Sequence, residues 1–216
     1  MVAETAAGSG DSLFIQFARE PVAGAVKTRM TPHFSPEQAC ELHCELLQWT
    51  SAELVAAGLG RVELAVAGDA GHPLFQRCLD RGVDSLSIQR GRDLGERMHA
   101  ALTDGLARFR KVVLVGSDCP GIDGAYLAQA LAALERADIV LGPAADGGYV
   151  LIGVKRVSPE IFSAIPWGSG EVYSETVAAL SRIGFSWAKL ATLADIDRPE
   201  DLPVWRAVQS RKAPGY

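Results

Sequence analysis

The chain has 216 residues, 48% of them hydrophobic and 22% charged, so it is long enough to bury one full core. Its formal net charge is −5 and its isoelectric point is near 5.4, which argues against a general nucleic-acid binder, because such a protein needs a broad basic surface. No apolar stretch approaches the ~18 residues that a membrane-spanning helix requires, so we expect no membrane partner.

The amino-terminal segment and the cysteines indicate a reduced, soluble, cytoplasmic protein. Residues 1–11 are small and polar and include Glu4, so we expect a flexible segment rather than a signal peptide, followed by one domain over residues 12–210. Nothing in the sequence predicts an oligomeric state. The cysteines have neither CxxC spacing nor the density of a disulfide framework, and they are Cys40, Cys44, Cys78 and Cys119.

Strands and helices are predicted to alternate along the whole chain. Short apolar or β-branched runs between turn residues predict strands at 13–17, 62–67, 86–89, 112–115, 138–141, 149–154 and 185–191. Helical patterns are predicted at 36–57, 72–80, 94–109, 123–136, 158–163, 171–183 and from Pro199 onward. This alternation predicts an α/β fold with a doubly wound, mostly parallel sheet and helices on both faces.

The first helix has the clearest boundaries. Ser35 is the predicted N-cap, Pro36 takes the first helical position, and Gln38 completes a capping box. Gly58 follows Ala57 as the predicted stop. The polar segment before this helix therefore belongs to a loop, and that loop follows the first strand.

The loop after the first strand is a candidate phosphate site. It carries Arg19, Lys27 and Arg29 around Gly24, and in open α/β sheets ligands bind outside the carboxyl ends of the strands. Arginine offers phosphate a planar fork and lysine a point charge. The segment is neither a P-loop nor a GxGxxG motif, and a solvated basic loop is the alternative interpretation.

Asp118 is the candidate cation ligand. It directly follows the strand at 112–115, within Gly116-Ser117-Asp118-Cys119-Pro120. A hard divalent ion on a diphosphate takes one or two carboxylates, phosphate oxygens and water, so Mg²⁺ or Mn²⁺ would suit this residue. Asp197 is the predicted second ligand, although its place just before a Pro-initiated helix is also typical of a helix cap.

Further candidates lie in three other segments. Asp146 precedes two glycines and could bind an acceptor hydroxyl or act as a base, although a type I′ hairpin turn explains the same residues. Arg97 adds a cation near the start of a helix. Trp167 could stack on a sugar or base, or could fill the core. Cys119 is an unpromising nucleophile because no histidine lies nearby in the sequence.

Six segments, spread in order over about residues 12–205, together resemble one known family. They are Lys27-Thr28-Arg29-Met30 with Pro32, Asp93-Leu94-Gly95-Glu96-Arg97-Met98, Gly116-Ser117-Asp118-Cys119-Pro120, Gly142-Pro143-Ala144-Ala145-Asp146-Gly147-Gly148-Tyr149, Ile165-Pro166-Trp167, and Asp195-Ile196-Asp197 with Glu200-Asp201-Leu202. On these residues the chain resembles the bacterial DUF2064 family, also labelled rSAM/selenodomain-associated transferase 1 or arsenosugar-biosynthesis glycosyltransferase-like. The resemblance implies a single-domain, Rossmann-like GT-A fold, that of the nucleotide-diphospho-sugar transferases.

The candidate residues together with this resemblance give a first hypothesis, a metal-dependent glycosyltransferase with a nucleoside diphosphate-sugar donor and a small-molecule acceptor. In that hypothesis Asp118 and Asp197 hold Mg²⁺ or Mn²⁺ and Asp146 acts on the acceptor, while the nucleotide is bound by Arg19, Gly24, Lys27, Arg29 and Arg97. The segment from Lys27 to Arg29 and the Asp-x-Pro turn also look like phospholactate guanylyltransferases, so a nucleotidyltransferase that uses a nucleoside triphosphate and releases pyrophosphate is the alternative. A non-catalytic nucleotide-binding protein is a third hypothesis.

Overall fold

A computed structural model describes residues 10–212, so residues 1–9, most of the predicted flexible segment, lie outside the described residues. Seven strands form one sheet: β1 (Ser12–Arg19), β2 (Arg61–Ala67), β3 (Ser85–Ile88), β4 (Lys111–Val115), β5 (Ile139–Pro143), β6 (Tyr149–Val154) and β7 (Trp187–Lys189). Their order is β3-β2-β1-β4-β6-β5-β7. All neighbours are parallel except β6, which runs antiparallel to β4 and β5. The predicted single-domain, mostly parallel α/β fold is confirmed.

Six α-helices connect the strands in the described part of the chain: α1 (Pro36–Ala57), α2 (Pro73–Asp80), α3 (Leu94–Leu106), α4 (Gly124–Leu134), α5 (Val172–Arg182) and α6 (Leu202–Lys212). The bounds of α1 match the prediction: Ser35 and Gln38 form the capping box, and Gly58 ends the helix with φ +61°. Among these described residues, no helix is both long and apolar enough to cross a membrane.

Three predicted elements differ from the structure. The helix predicted at 158–163 is only the 3₁₀ turn Pro159–Ile161, since a run this short gains too few hydrogen bonds to offset helix nucleation. The helix predicted from Pro199 begins with the 3₁₀ turn Pro199–Asp201 before α6. The helix predicted to reach 109 ends at Leu106, where the amides of Arg108 and Phe109 share the Gly105 carbonyl as the last turn tightens.

The sheet is buried on both faces. Alternate residues of β1 belong to different apolar clusters: Phe14 packs with Leu47 of α1, whereas Leu13 and Ile15 pack with Leu102 of α3. Both faces of a parallel strand are covered in this way when helices cross over on both sides. A third, smaller cluster contains Met30, Ile196 and Trp205 and lies between the first loop, α1 and α6. Through Met30 and Ile196, this third cluster anchors two of the segments that form the site, the loop after β1 and the segment after β7.

Candidate active site

Five functional candidates meet at the carboxyl end of the parallel strands. Lys27 and Arg29 lie in the loop after β1, Asp118 follows β4, Asp146 lies in the turn between β5 and β6, and Asp197 follows β7. Because the carboxyl ends of parallel strands share one edge of the sheet, residues distant in sequence converge there. We call this edge the carboxyl end.

The segment after β7 runs alongside the segment after β5. The Leu193 amide donates to the Pro143 carbonyl (3.0 Å), and the Ala145 amide donates to the Leu193 carbonyl (2.9 Å). This pairing continues the parallel register of β5 with β7 beyond the strands themselves. It thereby brings Asp195 to the same cleft as Asp146.

Ile196 anchors the pair of aspartates that flank it. Its side chain is fully buried in the third apolar cluster, and its amide donates to the Asp118 carbonyl at 2.8 Å. Asp195 and Asp197 lie on either side of this anchor and both line the cleft. A buried apolar residue between two acids thus fixes both carboxylates relative to the end of β4.

Lys27 is held inside the protein. Its side chain is only 3% exposed, its Nζ lies 2.9 Å from Asp118 Oδ1, and the same Nζ donates to the Ile196 carbonyl at 2.5 Å. Its backbone is left-handed, with φ +50°, a conformation that a non-glycine residue adopts only when its surroundings hold it there. The ammonium predicted to contact phosphate is therefore engaged by Asp118 and Ile196.

Arg29 faces the cleft. Its Nη1 lies 2.6 Å from Asp197 Oδ2, and its side chain is 54% exposed. The hydrogen bond and charge of Asp197 raise the pKa of Arg29, and the charges of Asp146 and Asp195 add to this effect. The guanidinium is therefore positioned among three carboxylates while still open to a ligand.

The cleft has a volume of about 380 Å³ and a surplus of negative charge. Four carboxylates line it, those of Asp146, Asp195, Asp197 and Asp201, against the two guanidiniums of Arg29 and Arg198. Asp146 and Asp195 form no ion pair within the described part of the chain, whereas Asp197 is paired with Arg29. A ligand that brings positive charge or hydroxyl groups would therefore suit this cleft.

Asp195 lines the cleft but was not among the predicted site residues. Burial raises its pKa, as do the charges of Asp146 and Asp197, while Lys27 opposes the increase. The Asp195-Ile196-Asp197 pattern was a usable signal, because two acids around one apolar residue predict that both face the same side of an anchored segment.

Asp146 is oriented by its own turn. Its Oδ1 accepts a hydrogen bond from the Gly148 amide at 2.9 Å. Gly147 has φ +93°, and a Cβ built there would lie 2.1 Å from the Gly170 carbonyl oxygen, so only glycine fits. The Tyr173 amide also donates to the Gly147 carbonyl (2.9 Å). The loop at 168–170 is therefore packed against the turn that carries Asp146.

The remaining predicted nucleotide ligands lie outside this cluster. Arg19 ends β1 and is exposed, and Gly24 occupies the exposed loop with φ +79°. Arg97 donates from Nε to the Gly91 carbonyl at 3.2 Å, at the start of α3. None of the three lines the cleft around Asp146. Their predicted nucleotide contacts remain predictions.

The structure answers the open question about Trp167 and agrees with the low expectation for Cys119. Trp167 packs against Tyr149, with ring centroids 6.4 Å apart, and its ring lies 2.9 Å from where a Gly95 Cβ would be, so it is partly buried against the apolar core. Burial raises the pKa of the Cys119 thiol to about 12, which leaves it protonated and a poor nucleophile. Neither side chain lines the cleft.

A buried polar network supports the loop that carries Asp118. Gln16, on β1, is fully buried and donates to Ser117 Oγ (2.9 Å) and to the Leu47 carbonyl (3.0 Å). Ser117 in turn donates to the Phe17 carbonyl (2.7 Å), and Ser51 donates to Gln16 Oε1 (2.7 Å). Two of these bonds hold Ser117 to β1, and the other two hold Gln16 of β1 to α1, so the network fixes the backbone from which Asp118 extends.

The carboxylate oxygens of Asp118 and Asp197 suit a hard divalent cation that is also bound by substrate phosphates. Asp118 Oδ1 is enclosed and accepts no hydrogen bond of regular geometry from the described residues, and its ammonium neighbour is an ion pair only. The described residues contain no group of three or more metal-ligating side chains arranged to enclose an ion. Such a full cage is not required, because Mg²⁺ is commonly held by one or two carboxylates and by substrate phosphates.

The chain is similar to a bacterial family and to nucleotide-dependent transferases. Residues 50–169 match the sequence profile of DUF2064, described as uncharacterized proteins conserved in bacteria. The chain is 30% identical over 122 residues to a 2-phospho-L-lactate guanylyltransferase from Methanothermobacter thermautotrophicus. The match covers 56% of this chain and 53% of that enzyme, so the chain spans about half the length of this curated relative.

Solved structures confirm the fold. A crystal structure from Desulfovibrio desulfuricans, of a protein provisionally described as a nucleotide-diphospho-sugar transferase, has a TM-score of 0.84 and 31% identity and covers 94% of this chain and 90% of its own. The 4-diphosphocytidyl-2C-methyl-D-erythritol synthase of Anaerococcus prevotii has a TM-score of 0.63 and 9% identity, covering 94% of this chain and 100% of its own, which shows the shared fold alone. The relatives named for an activity are transferases, which confirms the predicted enzyme class at that level.

Proposed function

The chain belongs to the DUF2064 family, and from this membership and the geometry of its cleft we propose that it is a metal-dependent glycosyltransferase with a nucleoside diphosphate-sugar donor. The observation that carries the proposal is the convergence of Asp118, Asp146 and Asp197 at the carboxyl end of the sheet, beside the exposed Arg29. This is the edge at which an open α/β sheet binds its ligands.

The donor diphosphate would lie between the loop after β1 and the end of β4. Arg29, which is open to the cleft, is placed to bind phosphate oxygens, with Arg19, the backbone at Gly24 and Arg97 as further contacts to the nucleotide. Asp118 and Asp197 would hold Mg²⁺ or Mn²⁺. When bound, the cation would supply charge stabilisation to the departing nucleoside diphosphate.

The acceptor would occupy the cleft of about 380 Å³. Asp146 would accept the proton of the acceptor hydroxyl as the hydroxyl oxygen bonds to the anomeric carbon of the donor and the bond from that carbon to the diphosphate breaks. The hydrogen bond from the Gly148 amide holds the Asp146 carboxylate in one orientation. The products are the glycosylated acceptor and a nucleoside diphosphate.

Nucleotidyl transfer is the second candidate, and the similarity to a guanylyltransferase favours it. The same cations would then hold a nucleoside triphosphate, an acceptor would attack its α-phosphorus, and pyrophosphate would leave. The charge of the cleft weighs against a phosphorylated acceptor, because Asp146 and Asp195 would face it without a paired cation. We therefore rank glycosyl transfer first.

A thermal-shift screen separates the two functions. The protein would be heated with nucleoside triphosphates or nucleoside diphosphate-sugars, each with Mn²⁺, Mg²⁺ or a chelator. A ligand at about 100 times its dissociation constant stabilises the fold by about 2.7 kcal/mol, which is a readable shift. We expect a metal-dependent shift with one diphosphate-sugar and then release of its nucleoside diphosphate. A shift confined to a triphosphate, followed by pyrophosphate release, would replace the proposal with nucleotidyl transfer.

A further inference from the structure

Lys27 joins the two segments that carry the proposed metal ligands. Its ammonium contacts Asp118 Oδ1, after β4, and the Ile196 carbonyl, after β7. Ile196 lies between Asp195 and Asp197, so one buried cation bridges both groups of carboxylates. The Ile196 amide bond to the Asp118 carbonyl makes a second link between the same two segments.

The contact with Lys27 makes the two oxygens of Asp118 different. Oδ1 is enclosed at the ammonium, whereas the Asp118 side chain as a whole is 45% exposed. The exposure therefore belongs to the other side of the carboxylate, and Oδ2 is the oxygen left open to solvent at the carboxyl end. With Oδ1 occupied in this way, Asp118 would bind a cation through a single oxygen in a fixed direction.

We infer that Lys27 is a positioning residue, which holds Asp118 so that Oδ2 alone is offered to the divalent cation, rather than a ligand of the donor phosphates. This inference rests on the proposed function of the cleft. A buried ammonium with two oxygen partners would have to leave both of them to reach a phosphate, and desolvated charges do not lose their partners readily. Mutation of a residue that contacts and orients a metal ligand, without binding the metal itself, typically weakens metal affinity or activity 10–100-fold.

The test is the affinity of the nucleotide-free protein for Mn²⁺ alone, measured by electron paramagnetic resonance of the unbound ion up to millimolar concentrations. Lys27→Met removes the charge and keeps the length of the side chain. Lys111→Met is a matched control, because Lys111 pairs with Glu135 at the start of β4, at the far end of the strand that leads to Asp118. If Lys27→Met does not fold, Lys27→Gln removes the same charge and keeps a donor.

We expect the Lys27 variant to bind Mn²⁺ about 10–100-fold more weakly, with Lys111→Met within about twofold of the wild type. Unchanged affinity in the Lys27 variant would overturn the inference, since a phosphate ligand or a purely structural lysine would leave nucleotide-free binding intact. Tighter binding would overturn it as well, because it would mean that the ammonium merely competes with the cation.

The wild-type measurement separates this inference from the proposed function. A wild-type protein that binds no Mn²⁺ in this range contradicts the metal ligands of the proposed function, and the role of Lys27 is refuted with them. A wild-type protein that binds Mn²⁺ together with an unaffected Lys27 variant refutes only the positioning role. The melting temperature of each variant shows whether a loss of affinity merely follows a loss of fold.

Discussion

The two ends of the sheet use similar charged residues to opposite effect. At the amino end, where the parallel strands begin, each of four cations is paired with an acid: Arg61 with Asp84, Arg110 with Asp11, Lys111 with Glu135, and Arg156 with Asp138. At the carboxyl end Lys27 pairs with Asp118 and Arg29 with Asp197, but Asp146 and Asp195 form no ion pair with any described residue.

The charges at the amino end neutralise one another, whereas the unpaired carboxylates at the carboxyl end are available to a ligand. Surface pairs such as those at the amino end typically contribute about 0–1 kcal/mol each, and their partners neutralise them locally. The carboxyl end keeps surplus carboxylates in a partly buried cleft, where burial and then the charges of Asp146 and Asp197 raise the pKa of Asp195. Groups with perturbed pKa values in a cleft are a sign of function, because a bound ligand or cation can compensate for their repulsion.

The largest expected effect of a substitution is that of Asp118→Asn on catalysis. Asparagine retains an oxygen for Lys27 but loses the charge that would hold the cation, so we expect transfer to slow by about 10²-fold, or roughly 3 kcal/mol of transition-state stabilisation. The measurement is the turnover of the purified variant with the donor identified in the thermal-shift screen. Because the buried Lys27 ammonium loses its counter-charge, the melting temperature should fall as well, so turnover is measured at a temperature at which the variant is fully folded.

Glu135→Gln is the corresponding change at the amino end. It removes the acid that pairs with Lys111 at the start of the same strand and should leave turnover within about twofold. Wild-type turnover in Asp118→Asn would remove Asp118 from the proposed site. Equal losses in both variants would show that the sheet responds to any lost charge, and the comparison between its ends would fail.

Local patterns in the sequence predicted the elements, but the pairing of distant segments formed the site. The boundaries of α1 depend on Ser35, Gln38 and Gly58, all of which act within a few residues of the helix ends. The neighbourhood of Asp195 and Asp146 depends instead on the alignment of β7 with β5, which no local pattern encodes. The end of a correctly predicted strand still gave Asp118 as a candidate, and the two glycines after Asp146 gave the other.

The inward position of the Lys27 ammonium could not be predicted for the same reason. A lysine between a glycine and an arginine in a polar loop is typical of a phosphate contact. Its actual partners, Asp118 and the Ile196 carbonyl, are 91 and 169 residues away in sequence. The packing of Met30 and Ile196 in one cluster, together with the bond from the Ile196 amide to the Asp118 carbonyl, brings those partners to the loop.

The second expected effect concerns the turn at Asp146. In Gly147→Ala a methyl group would meet the Gly170 carbonyl, and the residue would also keep a positive φ. We expect a loss of about 2–3 kcal/mol in the free energy of unfolding, from left-handed strain and overpacking together, and a lower turnover. Chemical denaturation measures the first quantity and the donor assay the second.

Gly184→Ala isolates the strain from the clash. Gly184 also has a positive φ, +67°, but a Cβ there meets nothing within 4 Å. It lies between α5 and β7, away from the residues that line the cleft. We therefore expect a loss of only about 1–2 kcal/mol with turnover retained. If the two variants lose equal stability, the contact between the Asp146 turn and the loop at 168–170 does not restrict the turn.

The smallest expected effect tests the surplus charge directly. The pKa of Asp195 is raised in the folded protein, so folding opposes its ionisation. The resulting cost is absent below the ordinary pKa of an aspartate, about 3.9, and grows as the pH rises from there through the raised pKa. Asp195→Asn should therefore raise the melting temperature at neutral pH in chelator. Because Asp195 is only half-buried, we expect a gain of roughly 1–3 °C, which disappears near pH 4.

Asp201→Asn in the same cleft should have the opposite sign. Asp201 Oδ2 accepts hydrogen bonds from the amides of Asp197 (2.9 Å) and Arg198 (2.7 Å), so its charge stabilises the start of the last helical segment. Losing that interaction should cost up to about 1 kcal/mol and lower the melting temperature.

A melting temperature that falls in Asp195→Asn as well would mean that Lys27 and Arg29 already neutralise Asp195. The surplus of negative charge, and with it the contrast with the amino end, would then be illusory. A rise in one variant and a fall in the other would show that the partial burial of the Asp195 charge and its repulsion by Asp146 destabilise the free cleft, and a cation or an acceptor hydroxyl would relieve both.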